Sequence, residues 1–328
     1  MKKSILFIIF LLFIECGKSP EKLIHILKNS PEPEKRYNAA IELGKLKTYK
    51  VITPLLESYK IEDNYVRLAI LKAIGEIASP ETVDFLINEY KNSEDNPIEM
   101  RIIALRGLGN IKKNIKSISI IKEAMMDDNF EIREEAIKSY GNAKGEEAVK
   151  ELIELLDIRQ EHEKVIVETL GNIGSKLAVS PLIEKFYKNL QFSESPEFIK
   201  YYSEAFVKIN DKKFIIPLVK AFFIKNDIAS KKWIINSLEK LKIENQYAKV
   251  LPTVLHLREK PTIRSKILSN ASKNDVLKII SRSKLRFILD NQEDYWYYVE
   301  KENGEKGWTF GTNLFIFDIK NEKKNLEE

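Results

Sequence analysis

The sequence contains few of the residues from which a nucleophile, a metal centre or a disulfide is built. Of its 328 residues one is cysteine, Cys16. That excludes an intramolecular disulfide and any Cys-x-x-Cys metal or redox motif. The three histidines, His25, His162 and His256, fall in three separate regions with no His-Glu-x-x-His or His-x-His spacing. There is no glycine-rich phosphate loop and no Gly-x-Ser-x-Gly turn, so no catalytic residue, metal or cofactor is expected. Charge of one sign is also missing. Against 54 Lys and Arg stand 49 Asp and Glu, and the net charge of +5 is too even to imply a nucleic-acid partner. Long apolar runs are absent apart from one, Ser4 to Ile14, which as a helix spans only about half a bilayer.

That run follows Met1-Lys2-Lys3 and ends just before Cys16, with Glu15 between. A charged start, an apolar core and then a cysteine resemble a bacterial lipoprotein signal, although that family prefers a small residue where Glu15 stands. The resemblance implies lipidation of Cys16 and removal of residues 1–15. It implies export to the cell envelope and a membrane tether through the N-terminal lipid, on a face that the sequence leaves open.

The body of the chain is organised by a ladder of glycines: Gly44, Gly75, Gly109, Gly141 and Gly171, at steps of 31, 34, 32 and 30 residues. An arginine stands eight residues before each of the first four: Arg36, Arg67, Arg101 and Arg133. Apolar residues precede each glycine by five, four and one, as in Ile70, Leu71 and Ile74, which is a helical stripe. A second stripe follows about ten residues later, often opened by proline, as at Pro54, Pro181 and Pro217. Each unit therefore reads as helix, turn, helix. The ladder continues at Val207 and Glu239 without glycine, for about seven helix pairs over residues 16–249, with residues 20–33 as a capping half-unit. Each glycine is expected either to take a left-handed conformation at a helix end or to admit a close helix.

Arg67 to Gly75, with its repeats at Arg101 to Gly109 and Arg133 to Gly141, resembles the HEAT-repeat family, in particular the short bacterial repeats of phycobilin-lyase type. The resemblance implies an α-solenoid whose members are mostly binding scaffolds, with second helices lining the concave surface. Residues such as Glu57, Lys60, Asp84, Lys185, Lys188 and Lys220 would border that surface. The arginines, each preceded by an acid (Glu32 or Glu34, Asp63, Asp95, Asp127 or Asp128), are expected to form charge-assisted struts between units. Tyr59, Tyr90, Phe186 and Phe222 keep the core spacing, whereas Tyr187 or Phe223, one residue on, is expected to be exposed.

Near Val250 the helical period gives way to short β-prone runs: Val254–Leu257, Val276–Ser281, Leu285–Leu289, Tyr295–Glu300 and Trp308–Phe310. Asn303-Gly304 signals a two-residue hairpin between the last two. Leu255 to Pro261, Asn274-Asp275, Trp296 to Val299 and Gly307-Trp308 resemble the bacterial SH3 domain, with Asn274 where glycine is usual. The resemblance implies a small all-β barrel over 250–318 that binds cell-wall peptide or envelope proteins. Trp296, Tyr298, Trp308 and Phe310 alternate with Tyr295, Tyr297 and Thr309; Tyr295, Tyr297, Trp308 and Phe310 are the candidate peptide-binding residues. The charged tail, 319–328, is expected to be disordered. The chain is thus expected to be a mainly α, membrane-tethered, non-catalytic scaffold with no fixed expectation of oligomeric state. The alternative is an envelope enzyme or enzyme subunit.

Overall fold

A computed structural model describes residues 19–92 and 97–327, so Cys16, the apolar run before it and Asp95 lie outside the described residues. Among the described residues fourteen α-helices are followed by nine strands and one more α-helix. The chain divides between Ala148 and Val149 into two compact units.

The first unit holds α1 (Pro20–Asn29), α2 (Pro33–Lys45), α3 (Ile52–Tyr59), α4 (Asn64–Ile77), α5 (Val83–Lys91), α6 (Ile98–Asn110), α7 (Ile115–Ala124) and α8 (Phe130–Lys144). The second holds α9 (Val149–Ile158), α10 (Glu163–Ile173), α11 (Val179–Leu190), α12 (Pro196–Ile209), α13 (Ile215–Ile224) and α14 (Ile228–Lys240). Local chemistry sets the starts. Ser19, Asp63, Asn114, Asn129, Ser195 and Asp227 each accept a backbone N–H of the first turn through the side chain. Such a cap satisfies one of the donors a helix start leaves open.

Of its two neighbours in sequence, each glycine helix packs more on the one before it, giving the pairs α1 with α2, α3 with α4, α5 with α6, α7 with α8, then α9 with α10, α11 with α12 and α13 with α14, while its most extensive contacts are with the glycine helices of adjacent pairs. The pairs number seven, but their phase differs from the sequence reading, which joined each glycine helix to the helix after it. The helix α1 is accordingly a full member of the first pair, with Leu23 and Leu27 buried, and not a capping half-unit. Tyr59, Tyr90, Phe186 and Phe222 are core residues.

The ladder glycines mark where consecutive glycine helices touch. A Cβ at Gly44 would lie 2.7 Å from the Cα of Ala73, one at Gly75 3.0 Å from that of Gly107, and one at Gly109 2.8 Å from that of Ser139. In the second unit a Cβ at Gly171 would lie 2.7 Å from the Cα of Ala205. Each contact partner stands two residues before the next ladder position. The left-handed helix ends lie elsewhere: Lys47, Ala78, Gly174, Asn210 and Lys242 have positive φ, each three residues past a ladder position. Close approach, not backbone conformation, therefore accounts for glycine at these four ladder positions.

Two arginines reach an acid of the following pair. Arg36 Nε lies 2.9 Å from Glu62 Oε1, with the two side chains only 17% and 8% exposed. Arg101 Nη2 lies 2.8 Å from Asp127 Oδ2. The others act differently. Arg67 stacks on the Tyr59 ring at 4.4 Å, and Arg133 donates to the carbonyls of Asp127 (2.8 Å) and Asp128 (2.9 Å). Asp63, read from the sequence as an arginine partner, instead caps α4 by accepting from the Val66 N–H.

The strands of the second unit are β1 (Tyr247–Val250), β2 (Val254–Arg258), β3 (Ile267–Ser272), β4 (Val276–Arg282), β5 (Phe287–Leu289), β6 (Gln292–Asp294), β7 (Trp296–Glu300), β8 (Lys306–Phe310) and β9 (Leu314–Phe317). Seven form one antiparallel sheet in the order β3-β2-β8-β7-β4-β1-β9, and β5 and β6 form a separate hairpin. Residues from β1, β2, β3, β4, β7 and β9 meet in one core of Ala248, Val250, Leu255, Leu257, Ala271, Leu277, Ile279, Val299 and Leu314. The sheet thus wraps around a single interior, and it starts at Tyr247. Asn274 takes φ 72°, the conformation for which glycine would be the easier residue.

The sheet is fixed to the last helices. Phe222 and Phe223 of α13 meet Phe317 edge-on at 5.2 and 5.8 Å, and Phe223 also meets Phe315 at 5.7 Å. The Tyr187 hydroxyl on α11 donates to Glu302 Oε1 at 3.0 Å. Tyr187 and Phe223, expected to be exposed, are half-buried because the sheet covers them. The tail also departs from expectation. Ile319–Glu327 forms α15, held to α14 by Lys323 and Glu239 at 2.8 Å.

Gly171→Val is expected to destabilise the array by about 1–3 kcal/mol, because the neighbouring contact is backbone and cannot rotate away. A lower urea midpoint would show it; an unchanged midpoint would mean that the two helices separate freely. Arg36→Met leaves Glu62 enclosed without a cation and is expected to cost about 3 kcal/mol. The R36M/E62M double variant should recover much of that loss, as a double-mutant cycle would measure.

Candidate functional site

The site is built on the β7–β8 hairpin, and its turn decides which side chains share a face. The Gly304 N–H donates to Lys301 O at 2.9 Å, the Lys301 N–H to Glu305 O at 2.8 Å, and Gly304 has φ 86°. This is a three-residue loop with glycine in the left-handed position. Cα partners are accordingly Trp296 with Phe310, Tyr298 with Trp308, and Tyr297 with Thr309. A two-residue turn at Asn303-Gly304 would have shifted every pair by one and placed Tyr295, Tyr297, Trp308 and Phe310 together. A one-residue shift exchanges the faces.

The four candidates are therefore split between two faces. Trp308 and Phe310 share one with Trp296 and Tyr298, and Tyr297 lies on the other. Phe310 and Trp296 are buried, with ring centroids 5.6 Å apart, so Phe310 is core and not a contact residue. Tyr297 leans on the sheet interior. Burial, then the Asp294 charge, pushes its hydroxyl above the usual phenol range, while Arg282 opposes this. Tyr295 lies under two guanidiniums, those of Arg282 at 4.2 Å and Arg286 at 5.3 Å from its ring. Arg286 also lies 3.9 Å from Glu293.

What remains open is a row running across four strands. Ile267 of β3 faces Arg258 of β2, Arg258 faces Trp308 of β8, and Trp308 faces Tyr298 of β7. The Tyr298 and Trp308 rings are half-buried and tilted at 40°, with centroids 5.2 Å apart. Behind Trp308 the chain needs a glycine. A Cβ at Gly307 would stand 2.8 Å from Leu257 Cβ, because Leu257 fills the interior at that point. Gly307 keeps the interior closed while Trp308 faces outward. Tyr298 and Arg258 were absent from the sequence-derived candidates. Extending the hairpin from a three-residue loop would have found Tyr298; nothing in the sequence marked Arg258, whose neighbour is set by non-local pairing.

On the helices, residues read as bordering a concave groove are largely engaged. Lys185 is buried and donates to Leu156 O at 3.0 Å. Glu57 pairs with Lys28, and Asp84 with Lys116. The Lys220 ammonium sits 4.9 Å from the Tyr187 ring.

Two family models match the chain: HEAT repeats over residues 20–97 and 90–163, and the bacterial SH3 domain over 253–314. The chain carries HEAT repeats and a bacterial SH3 domain. Solved structures with a similar course include the CpcE–CpcF complex of phycocyanin lyase from Nostoc, at 17% identity, with a TM-score of 0.39 and coverage of 68% of this chain and 82% of that one. Human deoxyhypusine hydroxylase in complex with glycerol is 19% identical, with a TM-score of 0.31 and coverage of 68% and 85%. An engineered protein is likewise 19% identical, with a TM-score of 0.32 and coverage of 68% and 96%. No curated protein matches the sequence. The SH3 domain's open face is thus the row from Ile267 to Tyr298.

Removing either aromatic side chain separates core from face. Phe310→Ala is expected to cost about 3–5 kcal/mol, as for a fully buried ring. Trp308→Ala, which removes a half-exposed ring, should cost about 2 kcal/mol or less. Thermal melts of the two variants would compare them; equal losses would mean that Trp308 is a core residue as well.

Proposed function

We propose that the protein is an exported envelope lipoprotein, tethered to a membrane through a lipid on Cys16. It acts as a non-catalytic scaffold that holds envelope proteins or cell-wall peptide. The carrying observation is the half-buried Tyr298–Trp308 pair on an open face of the SH3 domain, beside Arg258. Paired aromatic rings offer a large apolar area with little rotamer entropy to lose, and a guanidinium beside them supplies direction. Packing of the domain on α11 and α13 supports a preformed recognition surface. The HEAT repeats add an extended surface of stacked helices, the architecture of binding scaffolds generally. For the tether, support comes from the sequence. The lone cysteine follows an apolar run too short to cross a bilayer as a helix, so membrane attachment would fall to the lipid.

Intact mass and fractionation of the native protein test this reading. The expected species starts at Cys16, carries added acyl mass and sediments with membranes, while Cys16→Ala leaves the chain unacylated and releases it. Photo-crosslinking from position 308 should then capture an envelope protein or cell-wall fragment. An unmodified, unprocessed wild-type chain would remove the lipoprotein assignment. Absence of any adduct from position 308 would remove the scaffold role of this face.

A further inference from the structure

The row on the SH3 face has a chemical bias that its own packing does not use. Arg258 donates through Nη1 to Ser265 O at 2.9 Å, and among the described residues its remaining N–H groups have no partner. The segment that follows, residues 258–266, carries Arg258, Lys260, Arg264 and Lys266 against the single acid Glu259. Among the described residues, none of the side chains of Lys260, Arg264 and Lys266 forms an ion pair, whereas Lys301 and Lys306 on the neighbouring hairpin are paired with Glu305 and Glu300. Apolar groups stand among these cations: Ile263 is 57% and Ile267 42% exposed. Cations without counter-ions, next to an aromatic pair and exposed isoleucines, complement a ligand that is both anionic and apolar.

We propose that this face binds an acidic peptide segment, with a carboxylate at Arg258 and a neighbouring apolar side chain against Tyr298 and Trp308. This names the ligand class of the site in the scaffold reading above and rests on that reading. The aromatic pair and Ile267 argue for a peptide over a phosphate polymer, which has no group to place on them. Arg258 has the planar donor fork that matches a carboxylate. The unpaired Lys260, Arg264 and Lys266 raise the local concentration of an anionic segment and speed its encounter.

The test uses the full chain and fluorescence anisotropy with a labelled decapeptide alternating Glu with Leu and Trp. Its counterpart with Lys for Glu, and inorganic polyphosphate, serve as comparisons. The Glu peptide is expected to bind, to weaken as salt rises, and to exceed the Lys peptide at least about tenfold. Arg258→Gln should lower its affinity about tenfold or more, the loss of one charge-assisted pair. Ile267→Ser should weaken the peptide without changing polyphosphate binding. Thermal melts identify any variant that has lost its fold, and R264E/K266E, exposed and unpaired, then carries the charge test. Equal binding of the two peptides, competition by polyphosphate that Ile267→Ser leaves equal to the peptide's, or unchanged affinity in both charge variants overturns the proposal. If that happens while crosslinking from position 308 persists, the acidic-peptide assignment fails and the scaffold reading stands. Loss of both overturns both.

Discussion

Everything in the helical part depends on backbones that touch. Between α2 and α4 the contact is Gly44 on Ala73, between α4 and α6 it is Gly75 on Gly107, and between α10 and α12 it is Gly171 on Ala205. With no side chain between them, two helices meet backbone to backbone. The larger residues on either side of the contact are then forced to interdigitate. Leu43, Leu71, Ile74 and Leu105 are fully buried as a result. The spacing is set by the smallest residue, and the period of the sequence follows from it. Near the opposite end of the same helices, Arg36 with Glu62 and Arg101 with Asp127 tie one pair to the next. Where the ladder glycine meets the next helix, the pair is thus located by a steric stop and, in these two cases, a polar tie.

That division explains what could be read from the sequence. A close approach that excludes a Cβ recurs at Gly44, Gly75, Gly109 and Gly171 and leaves a period, and the apolar stripes beside it carry that period on through Val207 and Glu239, so the number of pairs was legible. Phase was not. Which neighbour a helix prefers depends on how deeply two apolar stripes interlock, and a period is the same under either grouping. The strands divide similarly. Val254–Arg258 alternates in burial, Trp296–Glu300 is rich in aromatic and β-branched residues, and both were visible. Tyr247–Val250 was not, because it is nearly all buried between two partners, β4 and β9, and so shows no alternation. The open face proposed for binding was missed by one residue of register. Asn303-Gly304 is compatible with both two- and three-residue loops, and each loop turns a different set of aromatics outward.

Fixing the SH3 domain to α11 and α13 changes what its surfaces are for. Phe315, Phe317 and Glu302 belong to the attachment, as do Tyr187 and Phe223 on the helices. The attachment draws on β9 and on the loop between β7 and β8. The row on β3, β2, β8 and β7 points elsewhere, with its backbone held by a sheet that is itself held at its β9 side. A face with little conformational freedom to lose binds with a smaller entropic cost than the same residues on a free module. The attachment and the proposed recognition face are therefore parts of one arrangement, since the first limits motion in the second.

Arginine serves in both places, and its surroundings separate the roles. Arg36 is mostly enclosed and donates to both oxygens of a nearly buried carboxylate, and its Nη1 donates to the Ser30 carbonyl. A second anion there would have to displace Glu62 and leave that carboxylate buried without a cation, at a cost of several kcal/mol. The arginine column therefore reads as structure wherever its partner is enclosed. Arg258 is half-buried, gives one hydrogen bond to a carbonyl and meets no carboxylate among the described residues. An incoming carboxylate would displace only water, and would gain a charge-assisted bond at a position already oriented by the sheet. The same side chain is a strut where its charge is already answered and a receptor where it is not, which is why the face beside Trp308, and not the ladder, is the place to look for a ligand.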